Sequence, residues 1–464
     1  MRPIRSTLPT VYLYSSLWLC HTVMVVFGAN HWLLRPGWAQ QAEPQSSAPS
    51  GTRAEDGAGP VEALRAKLRS DDPLERYRAL QEASEPSQPA ERAAMVTLLI
   101  ATLDDPVPDV RATAADALGF FGTEAQPAIP TLLSKLADDG VTLAARGVWT
   151  HMSQALGRIG PAAIDPLLQK IEGSEVQVYS GIMGALAEMK ADARRVVPRL
   201  IELLRTVPEE RRWATMYAMH AIGKDLEPAI PDLIAQLDHE NFNLQVMACR
   251  TLSVIGPPAQ AAAPKLVELT NERLISTRTH AAMCLAALGP IEGIDTIGIL
   301  SNILHESNQI SRERAMIGLA SLGAAAKDAL PIVDQALRDT EFFPQPEAAR
   351  AWWKISGDAD RAVARLKLLL DSPTYDIRAL EILAELGPAA LAAAEKLAPR
   401  LQDEDQGIRL LAAQVFAAMG PAAKDYRPAL EARLADSDRD VVAVLRLALA
   451  RMGDARDTPA KTAE

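Results

Sequence analysis

Apolar residues return along this chain at helical spacing, and the stretches that carry them return as well. Ile129, Leu132, Leu133 and Leu136 fall on one face of a helix. Comparable stripes end in a glycine at Gly122, Gly160, Gly223, Gly256, Gly289, Gly323, Gly357, Gly387, Gly420 and Gly453. Ser84 and Lys190 stand where the glycine is missing, and the intervals run from 30 to 38 residues. Eight residues after an anchor a proline recurs, at Pro130, Pro198, Pro231, Pro264, Pro331 and Pro428. Eleven residues before it an arginine recurs, at Arg111, Arg212, Arg278, Arg312 and Arg409.

Each landmark has a physical role. Glycine just past a helix end takes a left-handed backbone without a Cβ clash. Proline fits the first turn of the next helix, where no intrahelical N–H bond is lost. Alanines such as Ala114, Ala115 and Ala117 allow close helix approach, and acidic turns such as Asp104-Asp105 separate the two helices of a unit. A single helical hairpin cannot bury its own apolar side, so neighbours stack and share a core. The pattern predicts an all-α fold, a superhelical solenoid of about 11–12 hairpins over residues 61–453.

Asp109-Val110-Arg111 followed by Ala114-Ala115-Asp116-Ala117-Leu118-Gly119 resembles the HEAT repeat, and most closely the subtype of the phycobilisome lyases. The resemblance implies an armadillo-like solenoid in which turn acids and the recurring arginines form a structural ladder. Its functional reach is broad, since the family holds scaffolds, adaptors and a few enzymes.

The ends differ from the middle. Residues 1–39 read as a signal peptide: Arg2 and Arg5 precede an apolar run over 8–27, and Gly37-Trp38-Ala39 offers small residues for cleavage. The uncharged stretch 8–34 is also long enough to serve as an N-terminal membrane anchor. Residues 40–60 read as a disordered linker and 454–464 as a polar tail. Either outcome at the N-terminus exports the repeats to a periplasmic or extracellular space.

Charge narrows the partners. The full chain has a formal charge of −11; without the three arginines of 1–39 it carries 45 basic and 59 acidic residues, or −14. That balance disfavours nucleic acid and points to a protein or peptide with basic patches. Of Cys20, Cys249 and Cys284, the last two fall in second helices of adjacent repeats and read as buried thiols rather than a disulfide. No cofactor and no metal are expected. The pairs His239-Glu240 and His305-Glu306 resemble the iron-binding pairs of HEAT-like deoxyhypusine hydroxylases, but lie in hairpin turns two repeats apart and read as solvated turn residues.

No catalytic motif appears, and no catalytic residue is assigned. Trp213, Tyr217 and His220 fall at i, i+4 and i+7 and share one helical face. Equivalent positions in other repeats are polar or small, so this face is expected on the concave side, with Arg250 one repeat away and His280 and Trp149 flanking it. Trp, Tyr and Arg are the side chains that anchor protein interfaces. The competing expectation is that these rings pack between repeats. At least one of Trp352 and Trp353 is expected in the core. The function that follows is an exported, monomeric scaffold or adaptor that binds noncovalently along its concave face. The alternative is a lyase-type enzyme acting on a bound prosthetic group, as in HEAT-like bilin lyases, against which the export segment speaks.

Overall fold

The computed structural model describes residues 59–82, 88–223, 225–306, 308–339 and 345–453. The segment 1–39, most of the linker, the anchor Ser84 and the tail 454–464 lie outside the described residues. Helices dominate, with no strand among the described residues; a single antiparallel bridge joins Val141 to Gly147.

The chain divides into two compact units, 1–222 and 223–464. In the first unit the second helices of successive hairpins are Pro108–Phe121 (α1), Val148–Ile159 (α2), Val176–Met189 (α3) and Glu209–Ile222 (α4), preceded by the shorter Pro73–Glu82. Each packs on the next, from α1 through α4. In the second unit they are Phe242–Ile255 (α5), Ile275–Ala287 (α6), Gln309–Leu322 (α7), Gln345–Ser356 (α8), Asp376–Leu386 (α9), Gln406–Met419 (α10) and Arg439–Arg451 (α11), again packed in series. Each unit is a stack of helical hairpins.

The punctuation works largely as the sequence predicts. The six recurring prolines open the first helices at their first or second position. All ten anchor glycines have positive φ. The predicted left-handed helical cap is not what Gly122, Gly160, Gly256, Gly323, Gly387 and Gly420 adopt, however. Gly122 has φ 54° and ψ −128°, and Gly420 has φ 54° and ψ −131°, the mirror image of extended backbone. That turn sends the chain straight into a 3-10 segment, such as Gly122–Ala128 or Gly420–Tyr426, which links one hairpin to the next. Lys190, where glycine is missing, is forced into the same conformation at φ 52° and ψ −127°. Small side chains make these links compact: Ala125, Ala128, Ala193, Ala326 and Ala390 are wholly or almost wholly buried.

The core lies between hairpins. Tyr179 is fully buried, exchanges a 2.7 Å hydrogen bond with the Thr215 hydroxyl and lies under the Arg211 guanidinium. Phe416 is its counterpart in the second unit. Fully burying side chains of this size contributes roughly 1.5–3 kcal/mol each. One stretch, Gln309–Arg338, is apolar and long enough to cross a membrane by composition alone. Gly323, with φ 54°, splits it into α7 and the first helix of the following hairpin, and α7 supplies core residues such as Met316 and Leu319.

The arginine ladder is present in both units. Arg111 donates to both Asp138 carboxylate oxygens at 2.7 and 2.8 Å, and to the Asp105 carbonyl at 2.8 Å. Arg76 does the same to Asp105. In the second unit Arg278 holds Glu306 and Arg409 holds Asp436. Each rung ties the carboxylate of the next hairpin's turn to a carbonyl of the arginine's own turn. Burial raises the Asp138 pKa, but the bonds from Arg111 and the Gly140 N–H outweigh it and hold the carboxyl below its ordinary value. Glu306 is therefore a rung of the ladder, not the solvated turn residue expected of a His-Glu pair. The His239 Nδ1 accepts from the Asn241 N–H and shapes its own turn. Among the described residues no group of three His, Cys, Asp or Glu side chains is placed to hold a metal.

Candidate functional site

The six residues singled out from the sequence fall into two groups. Trp149, Trp213, Tyr217 and His220 belong to the first unit; Arg250 and His280 belong to the second.

In the first unit, helical spacing sets Trp213 and Tyr217 one turn apart on α4. Their rings stack at 5.4 Å with 6° between planes, and both stay half-buried. They are not core rings like Tyr179. Trp149 is half-buried at the start of α2, where its indole crosses to α3: a Cβ added at Gly181 would lie 3.6 Å from the Trp149 ring. The intervening helix α3 offers only Ser180 and Gly184 at the positions equivalent to Trp213 and Tyr217. Aromatic side chains on α2 and α4 thus stand on either side of a helix with small ones. The expectation that this whole register is exposed needs correction. Thr150 and Val246, the equivalents of Trp213, are buried. Burial at this register varies from repeat to repeat: Ser180 is half-buried and Ile377 exposed.

Trp352 and Trp353 depart from expectation too. Neither is buried; both are half-buried against the core, with Arg361 over the Trp352 ring and Lys354 over the Trp353 ring, each at 4.1 Å. Cations lying on the ring faces stabilise them at the surface.

Further along α2 sits a histidine that sequence reading missed. His151 is buried, and its Nδ1 lies 2.9 and 3.0 Å from the two Asp116 oxygens on α1. Since a carboxylate only accepts, Nδ1 is the donor. The equivalent pair in the second unit is Arg250 on α5 and His280 on α6: Asp116 and Arg250 each lie six residues before their anchor, His151 and His280 nine. Burial first, then Arg314 and Arg250, push the His280 imidazole down to about 4, although the Ser276 carbonyl opposes this. His280 Nδ1 lies 2.8 Å from that carbonyl, which makes Nδ1 the donor. Arg314, nine residues before Gly323 on α7, comes within 3.3 Å of the same nitrogen.

Cys249 and Cys284 are free and buried, as expected. Burial pushes the Cys284 thiol up to about 12 and the Cys249 thiol well up too, so neither is a nucleophile at neutral pH.

These features sit on a frame that known proteins share. A family model described as HEAT repeats matches residues 61–149. Residues 61–149 are HEAT repeats. The hairpins beyond them have the same helical order and the same punctuation. Yeast importin-beta is similar in structure, with a TM-score of 0.52 at 11% identity, covering 84% of this chain and 61% of that one. The chain thus spans about three fifths of importin-beta, and the likeness is one of fold alone. An engineered protein matches at a TM-score of 0.37 and 20% identity, over 78% of this chain and 99% of that one. A designed armadillo repeat protein solved with a (KR)4 peptide matches at 0.30 and 17%, over 42% of this chain and 99% of that one. The last two likenesses are too loose to carry an argument. No curated protein matches the chain.

Proposed function

We propose that this chain is a non-catalytic scaffold or adaptor that grips a polypeptide along the partly exposed face of its second helices. The observation that carries the proposal is the stacked, half-buried pair Trp213 and Tyr217. Aromatic rings held against each other lose little entropy on contact with a partner, and a prebuilt helical face costs little to order. His220 borders the pair on the same helix. In the second unit Arg250, six residues before its anchor like Tyr217, and His280, nine before its own, are the polar candidates.

The finer readings stay part of this proposal. The motif around Arg111 supports kinship with the phycobilisome-lyase subtype; residues 1–39 support export, by a cleaved signal or an anchor over 8–34; and the net charge of −11 supports a partner with basic patches and a monomeric state.

The test is affinity capture by the full chain from the exported fraction of its own cells, with and without Trp213→Ala and Tyr217→Ala. The scaffold reading expects a protein that the double variant loses at unchanged helicity and melting. A double variant that unfolds would make the rings structural. A tightly held prosthetic group with no protein would favour the lyase alternative.

A further inference from the structure

Rings and cations pair repeatedly in this chain. Arg92 lies over the Phe121 ring, Arg158 over Phe120, Arg211 over Tyr179, Lys354 over Trp353 and Arg361 over Trp352, at 4.1 to 5.2 Å from the centroid. Trp213 breaks that habit. It is half-buried on α4 and stacked on Tyr217 at 5.4 Å, and no cation of the described residues lies over it. Yet an indole is the best ring face a side chain offers to a cation. The two arginines beside it in sequence are directed elsewhere. Arg211 Nη2 donates to the Ser174 carbonyl at 2.5 Å, and Arg212 Nε points to the Val207 carbonyl 3.5 Å away. The helix turns both of them off the aromatic face and Glu210 onto it. Glu210 precedes Trp213 by three residues and Tyr217 by seven, whereas Arg211 and Arg212 precede Trp213 by two and one. Long helical side chains lean toward the helix N-terminus, so Trp213 has Tyr217 against its C-terminal side and the turn of Glu210 toward its other side. Glu210 is exposed, and among the described residues its carboxylate has no ion pair and no hydrogen bond. The helix dipole accounts for a glutamate in a first turn, but not for an uncovered indole beside it.

We infer that the outer face of Trp213 and the Glu210 carboxylate receive the side-chain cation of an arginine or lysine on the bound polypeptide. The inference rests on the scaffold reading and names the residue that its partner presents. The partner's cation takes on Trp213 the place that the chain's own cations take on the rings named above, with Glu210 as its counter-ion. Stacking on Tyr217 fixes the indole before the partner arrives, so little freedom is lost on contact. The net charge of −11 favours the approach of such a side chain over an acidic one. Arginine suits the site better than lysine, because its planar guanidinium stacks on an indole while its N–H groups donate to a carboxylate.

The probe is an octaarginine peptide, added to the full chain labelled with 5-fluorotryptophan and followed by 19F NMR. Octaproline, which packs on aromatic faces without charge, and octaglutamate are the comparisons. The Trp213 resonance is assigned with Trp213→Phe. The site predicts that octaarginine shifts that resonance and that the other two peptides do not. Read at the same resonance, Glu210→Gln should weaken octaarginine binding about threefold. Glu292→Gln, which removes an exposed carboxylate from the second unit, should leave it unchanged. An unmoved Trp213 resonance would overturn the inference. Equal weakening by Glu210→Gln and Glu292→Gln would overturn it too, since attraction to the overall charge would then suffice. An equal response to octaproline would overturn the cation assignment. The scaffold reading fails separately: a resonance moved by octaarginine, with no cellular protein lost on changing Trp213 and Tyr217, leaves the cation site standing and removes the scaffold's partner.

Discussion

His151 and His280 occupy the same position in the repeat, one in each unit, and each meets the residue six before the preceding anchor. In the first unit that residue is Asp116, and the histidine is tied to it at 2.9 Å. In the second it is Arg250, and the histidine is surrounded by positive charge, with a pKa pushed down to about 4. The backbone frame is common to both, down to the positive-φ glycines and the arginine ladder. A repeated helical frame therefore fixes where side chains from adjacent helices meet, and one substitution there decides whether the histidine meets a carboxylate or a guanidinium.

The comparison stands only if the frame is shared energetically. Asp138→Ala in the first unit and Glu306→Ala in the second should each cost about 3 kcal/mol, because each strands a largely buried arginine. Denaturant unfolding checks this. Markedly unequal costs would mean that the ladder is not the common element. The Asp138 contribution has its own pH signature. Its folded pKa is depressed, so the stabilisation is present above the unfolded carboxylate pKa and is lost as pH falls through the lowered folded value. Asp138→Ala should flatten that acid limb.

Arg250→Asp should turn the second histidine into a copy of the first. In the native chain the folded pKa of His280 lies below its ordinary 6.5, so the stability linked to it is full above about 6.5 and is lost as pH falls through about 4. The loss amounts to at most about 3 kcal/mol. With aspartate at 250 the midpoint should rise by NMR, and that loss should shrink, with burial and Arg314 still holding the midpoint down. An unchanged midpoint would leave burial and Arg314 as the whole cause. The reverse test, Asp116→Asn, should cost about 1 kcal/mol in melting experiments by weakening a charge-assisted hydrogen bond to a buried ring. The smallest effect is a gain. Lys190→Gly should stabilise the first unit by about 1 kcal/mol, since a lysine at φ 52° is strained where ten of the anchors use glycine.

The hairpins were legible in the chain because their signals are local: a glycine at a positive-φ turn, a proline eight residues on, an apolar stripe between. The ladder came through the resemblance to the HEAT repeat, in which turn acids pair with the recurring arginine, as Arg111 does with Asp138 here. What the sequence hid is contact between repeats. That position six of one helix faces position nine of the next is a property of packing, so Asp116 with His151 escaped notice, and Arg314 was not joined to Arg250 and His280. Aligning the repeats on their glycines would have shown both histidines in one column, a usable signal. Trp213 was placed on an exposed face by comparison with Thr150 and Val246, yet those are buried. Burial at this register differs between repeats, with Ser180 half-buried and Ile377 exposed, so register alone does not settle it.

The central claim is that a polypeptide lies against the second helices. The most direct measurement is site-specific photo-crosslinking in the native cells, with a benzophenone side chain replacing Tyr217 on α4 or Glu202, which is exposed on the first helix of the same hairpin. The account predicts a reproducible protein adduct from position 217 and none from 202. Equal adducts from both positions, or none from 217 in a folded chain, would contradict it.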